Sequence, residues 1–444
     1  MPAVRRAPCS DPPAMWQDAR NLSGWNTMRI HHTYLSRTPA SRELGERAEA
    51  VMPAGETRAA GYHAPYPLTL VRGDGARVWD LDGNEYFDVI CNYTSLVHGH
   101  NYAPIVEAAT NAIRRGTAWP ARNLHQVELA ELLANRVASV DSVRFCNSGT
   151  EAGMLALQVA RAATGRTKLL MARGGYHGSH EAFVAGGASA PAWEHTLTAK
   201  WGDAAGFEAV LTERGHEIAA VFLEGAPGGI GYAPPEFFTR VQAAASKAGA
   251  VFVLDEVITF RMSTGGYQKE LGIRPDLTMF GKLIGGGFPV GAIGGRRDLM
   301  DLLDPRRGVF SHSGTFNGNP VTTAAGVVSV RELTPERIAI MAGQAEELDG
   351  RLKAAAAAAA LDVTVRRIGS LLHITFNAAS PDPEAARAVN EKNGLFHLAA
   401  MNRGVYLSAR GLMSLSTVLT EADLDSIAER LGEAIGDVAA EAAE

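Results

Sequence analysis

The sequence predicts an α/β protein that has a large domain on a mixed, mainly parallel sheet and a smaller α+β domain formed by the N- and C-terminal segments. Two observations lead to this prediction. Short apolar runs with the length of buried parallel strands alternate with helical stretches, at 143–146, 168–172, 218–223, 251–254, 277–280 and 290–293. Beyond residue 335, helical stretches at 335–360, 384–402 and 421–442 alternate with strands at 363–368, 371–376 and 405–407.

The length of 444 residues is too great for one small core. We expect residues 1–35 to form an irregular leader, 36–90 the N-terminal part of the small domain, 91–330 the large domain and 331–444 the C-terminal part of the small domain. Within residues 36–90, a helix is predicted at 41–51. Strands are predicted at 68–81 and 85–89, on either side of a turn at 82–84.

Charge and composition favour a small-molecule partner. The net charge of −6 and the pI near 6.1 give no general attraction to nucleic acid or to an anionic membrane. No apolar run is long enough to span a bilayer. Cys9, Cys91 and Cys146 are scattered and odd in number, which favours a reducing compartment and predicts a cytoplasmic protein.

Two predicted strands end in groups of opposite charge. Asp255 follows the run at 251–254, and Lys282 follows the run at 277–280 after one glycine. Ligand sites form at the carboxyl ends of parallel strands. An amine that forms a Schiff base and an acid that keeps a ring nitrogen protonated are what pyridoxal phosphate needs. A surface salt bridge is the simpler alternative, but the glycines around Lys282 indicate that the backbone passes close to another group.

A nucleotide-binding loop is a weaker interpretation of this glycine-rich stretch. The phosphate-loop pattern requires Ser or Thr directly after the lysine, and Leu283 stands there. The dinucleotide pattern fails at its third glycine, where the sequence has Val290.

A second group of residues could hold the phosphate of such a cofactor. Ser148, Gly149 and Thr150 open a predicted helix, whose free backbone donors and positive dipole end attract an anion. Simple N-capping is the alternative, because Ser-x-x-Glu is also a capping box. Tyr176 and His177 lie in a glycine-rich turn after the next strand, where an aromatic ring can stack on a flat heterocycle.

No metal site is predicted. His177 and His180 are close in sequence, but no third ligand has a convincing spacing.

Taken together, these motifs resemble the class III (fold type I) pyridoxal-phosphate aminotransferases, in the glutamate-1-semialdehyde aminomutase-like branch. The resemblance covers roughly residues 40 to 440. It is carried by NSGTEA at 147–152, GGYHG at 174–178, DEV at 255–257, GK at 281–282 with the glycines that follow, and GTF at 314–316 with NP at 319–320.

The resemblance implies roles around pyridoxal phosphate. Lys282 would form the Schiff base and move the proton, and Asp255 would hold the ring nitrogen. The other implied contacts are Ser148, Gly149 and Thr150 at the phosphate, Tyr176, His177 and Val257 at the ring, and Glu224 near the ring substituents. Thr315 would reach the phosphate in the neighbouring subunit, which implies a homodimer with shared active sites.

Two segments look more like the β-amino acid (β-phenylalanine) aminotransferases than like the aminomutases. They are 52–58 and 406–411, and in those enzymes arginines at the positions of Arg58 and Arg410 bind carboxylates. A guanidinium matches a carboxylate with two parallel hydrogen bonds. From the residues alone, Arg58 would be assigned to a solvated loop. The sequence departs from the family pattern in two places. No glycine separates Thr259 from Phe260, and Gly225-Ala226 follows Glu224 where Glu-Pro is common.

We therefore expect a transaminase that acts between a β-amino acid, or its 3-oxo acid, and an α-keto/α-amino acid pair. The alternatives are an intramolecular aminomutase that acts on a semialdehyde and a non-catalytic, cofactor-binding regulatory protein. Tyr62, Tyr66 and Tyr93 are candidates for a side-chain pocket.

Overall fold

The computed structural model describes residues 28–183, 194–229, 231–376 and 391–441. The first elements are two helices, α1 (Arg29–Arg37) and α2 (Pro39–Glu49). The predicted irregular leader is therefore wrong over residues 29–35. Ile30 and Tyr34, one turn apart on α1, are buried, and this apolar pair drives the segment onto the small-domain core.

An antiparallel meander follows, made of β1 (Leu70–Asp74), β2 (Arg77–Asp80) and β3 (Glu85–Asp88). The single strand predicted at 68–81 is wrong, because the chain turns at Gly75, whose φ of 54° lies in the left-handed region. The turn predicted at 82–84 is confirmed: the Asp80 amide donates to the Asn84 carbonyl across it, at 3.1 Å.

The large domain is built on a seven-stranded sheet. Helices α3 (Ala103–Arg115) and α4 (Leu124–Arg136) precede its first strand in the chain. The strands are β4 (Ser142–Cys146), β5 (Lys168–Ala172), β6 (Thr196–Ala199), β7 (Ile218–Glu224), β8 (Val251–Asp255), β9 (Leu277–Gly281) and β10 (Gly291–Gly295). Their order is β4-β10-β9-β8-β7-β5-β6. Strand β10 pairs antiparallel with β4 and with β9, and the other described pairs are parallel, so the sheet is mixed and mainly parallel, and the predicted fold class is confirmed. Strand β6 was not predicted.

Helices cover this sheet. They are α5 (Gly149–Thr164), α6 (Ala204–Arg214), α7 (Pro235–Ala248), α8 (Tyr267–Leu271), α9 (Arg297–Met300) and α10 (Pro320–Glu332). Helix α5 ends at Gly165 in the left-handed conformation, as its sequence predicts. Strands β7, β8 and β9 are buried along their whole length, which explains why their sequences are nearly continuous apolar runs.

The C-terminal part of the chain completes the small domain. Its elements are α11 (Pro335–Ala358), β11 (Val363–Ile368), β12 (Leu371–Phe376), α12 (Glu391–Asn402), β13 (Val405–Tyr406), β14 (Leu412–Ser414) and α13 (Glu421–Glu441). Strand β13 pairs in parallel with β3, so both terminal segments share one sheet, and β11-β12-β14 forms a second, antiparallel sheet. The predicted helical stretch 384–390 lies outside the described residues. The domain boundaries at 35, 90 and 330 stay predictions.

One apolar core joins the two terminal segments. Tyr34 and Val89 from the first pack in the same cluster as Leu348 and Phe376 from the second, and all four side chains are fully or almost fully buried. Complete burial of an apolar side chain of this size contributes about 1.5–3 kcal/mol. The small domain is therefore stabilised by contacts between residues that are hundreds of positions apart.

Arg261 links this domain to the sheet. It follows β8, is completely buried, and donates from Nε to Ser370 Oγ at 2.9 Å, from Nη1 to Ser414 Oγ and from Nη2 to the Leu415 carbonyl. Burial lowers the pKa of the Arg261 guanidinium to about 10.

Across the described ranges, no helix has the length and apolar character needed to cross a membrane.

Candidate active site

Three neighbouring strands end at one cavity. Glu224 and Asp255 are register partners at the ends of β7 and β8, and Lys282 directly follows β9, which pairs with β8. The cavity has a volume of about 530 Å³, and these three residues belong to its lining. The sheet therefore brings the acid and the amine singled out in the sequence to the same edge.

Asp255 has a fixed orientation. Its Oδ2 lies 2.9 Å from His177 Nδ1, and its Oδ1 accepts from the Val257 amide at 3.0 Å. The carboxyl group is 7% exposed, and among the described residues no lysine or arginine forms an ion pair with it. A buried carboxylate held in this way is suited to a cationic ring N–H, because such a partner offsets its desolvation.

The amine of Lys282 loses its proton more readily than that of an ordinary lysine. Desolvation lowers the pKa of its ammonium from 10.5 to about 8, although Asp255 and Glu224 oppose this shift by favouring the charged form. Its backbone has a φ of 51°, in the left-handed region that non-glycine residues avoid. Gly286, also left-handed, follows closely, and a Cβ there would lie 2.7 Å from the Ala325 carbonyl oxygen, so the loop requires glycine.

The start of helix α5 forms an anion cradle. Ser148 is its N-cap, and its Oγ accepts from the Glu151 amide at 3.1 Å, as the capping alternative predicts. Among the described residues, however, the Gly149 and Thr150 amides have no backbone or side-chain acceptor. Capping and anion binding are thus compatible, because the cap uses one amide and leaves two that face the cavity.

Tyr176 and Val257, the residues expected on the two faces of a flat ring, line the same cavity. Tyr176 is 52% exposed, and its amide donates to Glu224 Oε2 at 2.8 Å. Glu224 Oε1 accepts from the Gly228 amide at 3.1 Å, so the carboxylate holds the turn that carries the tyrosine. Val257 lies near the cradle, since a Cβ on Gly149 would be 3.4 Å from its side chain.

The mouth of the cavity contains one of the two predicted arginines. Arg58 lines it, but among the described residues Arg410 and Thr315 do not line the cavity of their own chain. Arg410 lies close enough to Tyr93 for its charge to oppose the rise in the pKa of the phenol that burial causes. The three tyrosines suggested for a side-chain pocket are also absent from the described lining, and Tyr66 packs in the small-domain core.

Asn92 is a cavity residue that sequence reasoning missed. Its Oδ1 accepts from Arg58 Nη1 at 2.8 Å. It belongs to a left-handed turn of four successive residues from Cys91 to Thr94, a conformation that costs about 1–2 kcal/mol per residue. The segment contains no glycine, so no signal in the sequence pointed to this turn.

An amine with a lowered pKa, a buried acid, an anion cradle and an aromatic ring together fit pyridoxal phosphate. No group of three or more His, Cys, Asp or Glu side chains in the described ranges is arranged to hold a metal ion. The fold and the site thus define a pyridoxal-phosphate enzyme of the α/β type.

The comparison with known families agrees with this class. The family model of class-III aminotransferases matches residues 58–435, and the chain belongs to this family. The protein is a pyridoxal-phosphate-dependent aminotransferase. The alternative of a non-catalytic regulatory protein is set aside.

Similar proteins span nearly the whole chain. A β-phenylalanine transaminase of Variovorax paradoxus is 38% identical over 91% of this chain and 95% of its own. A glutamate-1-semialdehyde 2,1-aminomutase of Myxococcus xanthus is 38% identical over 83% of this chain and 90% of its own. A solved transaminase with pyridoxal phosphate bound superposes with a TM-score of 0.87 at 33% identity, covering 92% of this chain and 99% of that one.

Proposed function

We propose that the enzyme moves an amino group between a β-amino acid, or its 3-oxo acid, and an α-keto/α-amino acid pair. The observation that carries this proposal is Arg58 at the cavity mouth, whose guanidinium has no ion-pair partner among the described residues. A guanidinium that lines the cavity and whose contacts are with neutral groups suits a substrate carboxylate. The similarity to the Variovorax β-phenylalanine transaminase over almost the full chain supports the same substrate class.

The residues at the cavity floor have separate tasks in this proposal. Bound pyridoxal phosphate supplies an electron sink for the substrate carbon. Lys282 would hold the cofactor through Nζ and would move the substrate proton there, for which a pKa of about 8 is well matched to neutral and mildly basic conditions. Asp255 keeps the ring nitrogen charged, and His177 holds Asp255 in place. Gly149 and Thr150 bind the phosphate through their amides.

Arg410 is proposed to bind a second carboxylate. It lies on the loop between β13 and β14, near the Tyr93 ring beneath Arg58. An α-keto acid acceptor such as 2-oxoglutarate carries two carboxylates, so a second arginine near Arg58 suits both halves of the reaction.

We also propose that the active enzyme is a homodimer in which Thr315 completes the partner's phosphate site. Thr315 is exposed, and the neighbouring Phe316 and Leu124 leave 60% and 67% of their surface uncovered. Asn147 Nδ2 donates to Asn317 Oδ1 at 2.8 Å, which ties this loop to the cradle. An exposed apolar surface beside a cofactor site suits a subunit interface.

A substrate screen tests the proposed reaction. The purified holoenzyme is given 3-amino acids, α-amino acids or plain amines, each with and without 2-oxoglutarate, and glutamate formation is measured. We expect the highest kcat/KM for an aromatic 3-amino acid and no turnover without the keto acid. Preference for amines that lack a carboxylate would contradict the proposal.

The aminomutase remains the second candidate, because the Myxococcus xanthus aminomutase is equally similar in identity. Conversion of glutamate-1-semialdehyde to 5-aminolevulinate without any keto acid would favour it over the β-amino acid reaction.

A further inference from the structure

The left-handed turn at the cavity mouth is unusual in its length. Cys91, Asn92, Tyr93 and Thr94 have φ values of 50°, 46°, 54° and 75°. Asparagine tolerates this region singly, but four successive non-glycine residues are disfavoured because each Cβ crowds a carbonyl oxygen. Such backbone persists where the surrounding structure holds it, and it concentrates at functional sites.

The inner side of the turn is firmly anchored. Asp88 Oδ1 accepts from the amides of Ile90 and Cys91 at 2.9 and 2.8 Å, and Asp88 Oδ2 lies 2.6 Å from His100 Nε2. The Cys91 thiol donates to the Ser414 carbonyl at 3.1 Å and is buried. These contacts hold the backbone conformation independently of the side chains that point outward.

The two outward residues both contact the loop that carries Arg58. Asn92 is exposed, lines the cavity, and accepts from Arg58 Nη1 at 2.8 Å. The Tyr93 hydroxyl donates to the Ala60 carbonyl, and its ring centroid lies 5.8 Å from the Arg58 guanidinium carbon. The turn thus fixes both the guanidinium and the backbone beside it.

We propose that Asn92 is a positioning residue that orders Arg58 for the substrate carboxylate; this rests on the proposed function of Arg58. Its amide oxygen is neutral, so it occupies one N–H of the guanidinium without cancelling the charge. A carboxylate in its place would satisfy the same N–H but would compete with the substrate. Asn92 therefore reduces the conformational entropy that the Arg58 side chain loses when the substrate binds. It also leaves the positive charge of Arg58 available to an anion.

The test measures binding rather than turnover. Calorimetry on the holoenzyme gives the dissociation constant of 3-phenylpropanoate, which has the carboxylate but no amine, and that of uncharged 3-phenylpropan-1-ol. In Asn92→Gly, glycine keeps the left-handed backbone and removes the hydrogen bond. We expect about two- to tenfold weaker binding of 3-phenylpropanoate, the usual effect of freeing one long side chain, and unchanged binding of the alcohol.

A matched control and a second variant sharpen the result. Asn101→Gly is the same substitution at another left-handed asparagine, φ 50°, whose side chain donates to Asp74 at 3.4 Å, and it should change neither constant. Asn92→Asp keeps the acceptor but adds a charge beside Arg58, so it should weaken carboxylate binding more than Asn92→Gly. Wild-type affinity for 3-phenylpropanoate in Asn92→Asp would overturn the proposal that the group holding Arg58 must be neutral.

The Arg58→Ala background separates this inference from the proposed function. If Asn92 acts through Arg58, Asn92→Gly has no further effect once Arg58 is removed. An equal effect in both backgrounds would overturn the positioning role. Unchanged affinity in Arg58→Ala alone would instead refute the carboxylate role of Arg58.

Discussion

The floor and the mouth of the cavity are built in different ways. The floor uses Glu224, Asp255 and Lys282, which lie at or just beyond the ends of three adjacent strands of a buried sheet. The mouth uses loops. Arg58 lines it, and Arg410, which lies near Tyr93 but outside the described lining, comes from a loop more than 300 residues further along the chain. The residues proposed for cofactor chemistry thus sit on rigid strands, and those proposed for substrate choice sit on loops.

The difference also appears in the hydrogen bonds. Both oxygens of Asp255 and both oxygens of Glu224 have partners in the protein, so the floor is organised before any ligand arrives. Arg58 is exposed, and in the described part of the chain its guanidinium contacts neutral groups, the Asn92 amide oxygen and the Tyr93 ring. We infer that changes at the floor abolish the reaction, whereas changes at the mouth alter which substrates enter it.

The strongest test of the floor is Lys282→Ala. We expect loss of the visible absorption band of lysine-bound pyridoxal phosphate and loss of turnover, because Lys282 is the one lysine among the described lining residues. Absorption spectra and initial rates measure both effects. Lys247→Ala, an exposed lysine near the end of α7, is the control and should leave both unchanged. An unaltered spectrum in Lys282→Ala would exclude this lysine.

The pH dependence of cofactor capture tests the desolvation of Lys282. The unprotonated amine is the nucleophile, so below its pKa the capture rate should rise about tenfold per pH unit. With a pKa of about 8 instead of 10.5, the rate should level off above pH 8. Stopped-flow absorbance, with apoprotein mixed with pyridoxal phosphate, measures this capture rate.

The control for this experiment is Nα-acetyllysine, whose rate should keep rising toward pH 10.5, the ordinary value for a lysine. A protein rate that follows the same course as the free amine would show that burial does not lower the pKa of Lys282.

The smallest expected effect lies at the mouth. Arg410→Ala should raise the KM for the carboxylate substrate more than about tenfold, since a hydrogen bond to a charged group contributes about 1.5–3 kcal/mol. The kcat should change little, because the floor is intact. Arg410→Lys keeps the charge but loses the two-pronged geometry, so an intermediate KM is expected. Steady-state kinetics in which both variants match the wild type would remove Arg410 from the site.

The same contrast explains what the sequence could predict. The floor was predictable because buried parallel strands leave continuous apolar runs, and the residue after each run marks the sheet edge where Asp255 and Lys282 meet. The start of helix α5 was predictable because Ser148 and the residues after it carry the signal of an N-cap.

The mouth could not be predicted in the same way. Asn92 and Arg58 are 34 residues apart, and their contact depends on a left-handed turn that has no glycine to announce it. Helix α1 was missed although its buried pair, Ile30 and Tyr34, has helical spacing. Strand β14 was also missed, because its three residues are too few for periodicity to define, whereas β13 lies within the strand predicted at 405–407.

The buried Arg261 has a consequence for how the two domains can move. Its three donors are satisfied by neutral acceptors on Ser370, Ser414 and Leu415, all in the small domain, while its backbone follows the strand that carries Asp255. Pulling the small domain directly away would strand a charged group in an apolar interior, which is costly. We therefore expect Arg261 to keep the small domain attached to the end of the strand that carries Asp255, and breaking its hydrogen bonds to carry a large energetic cost.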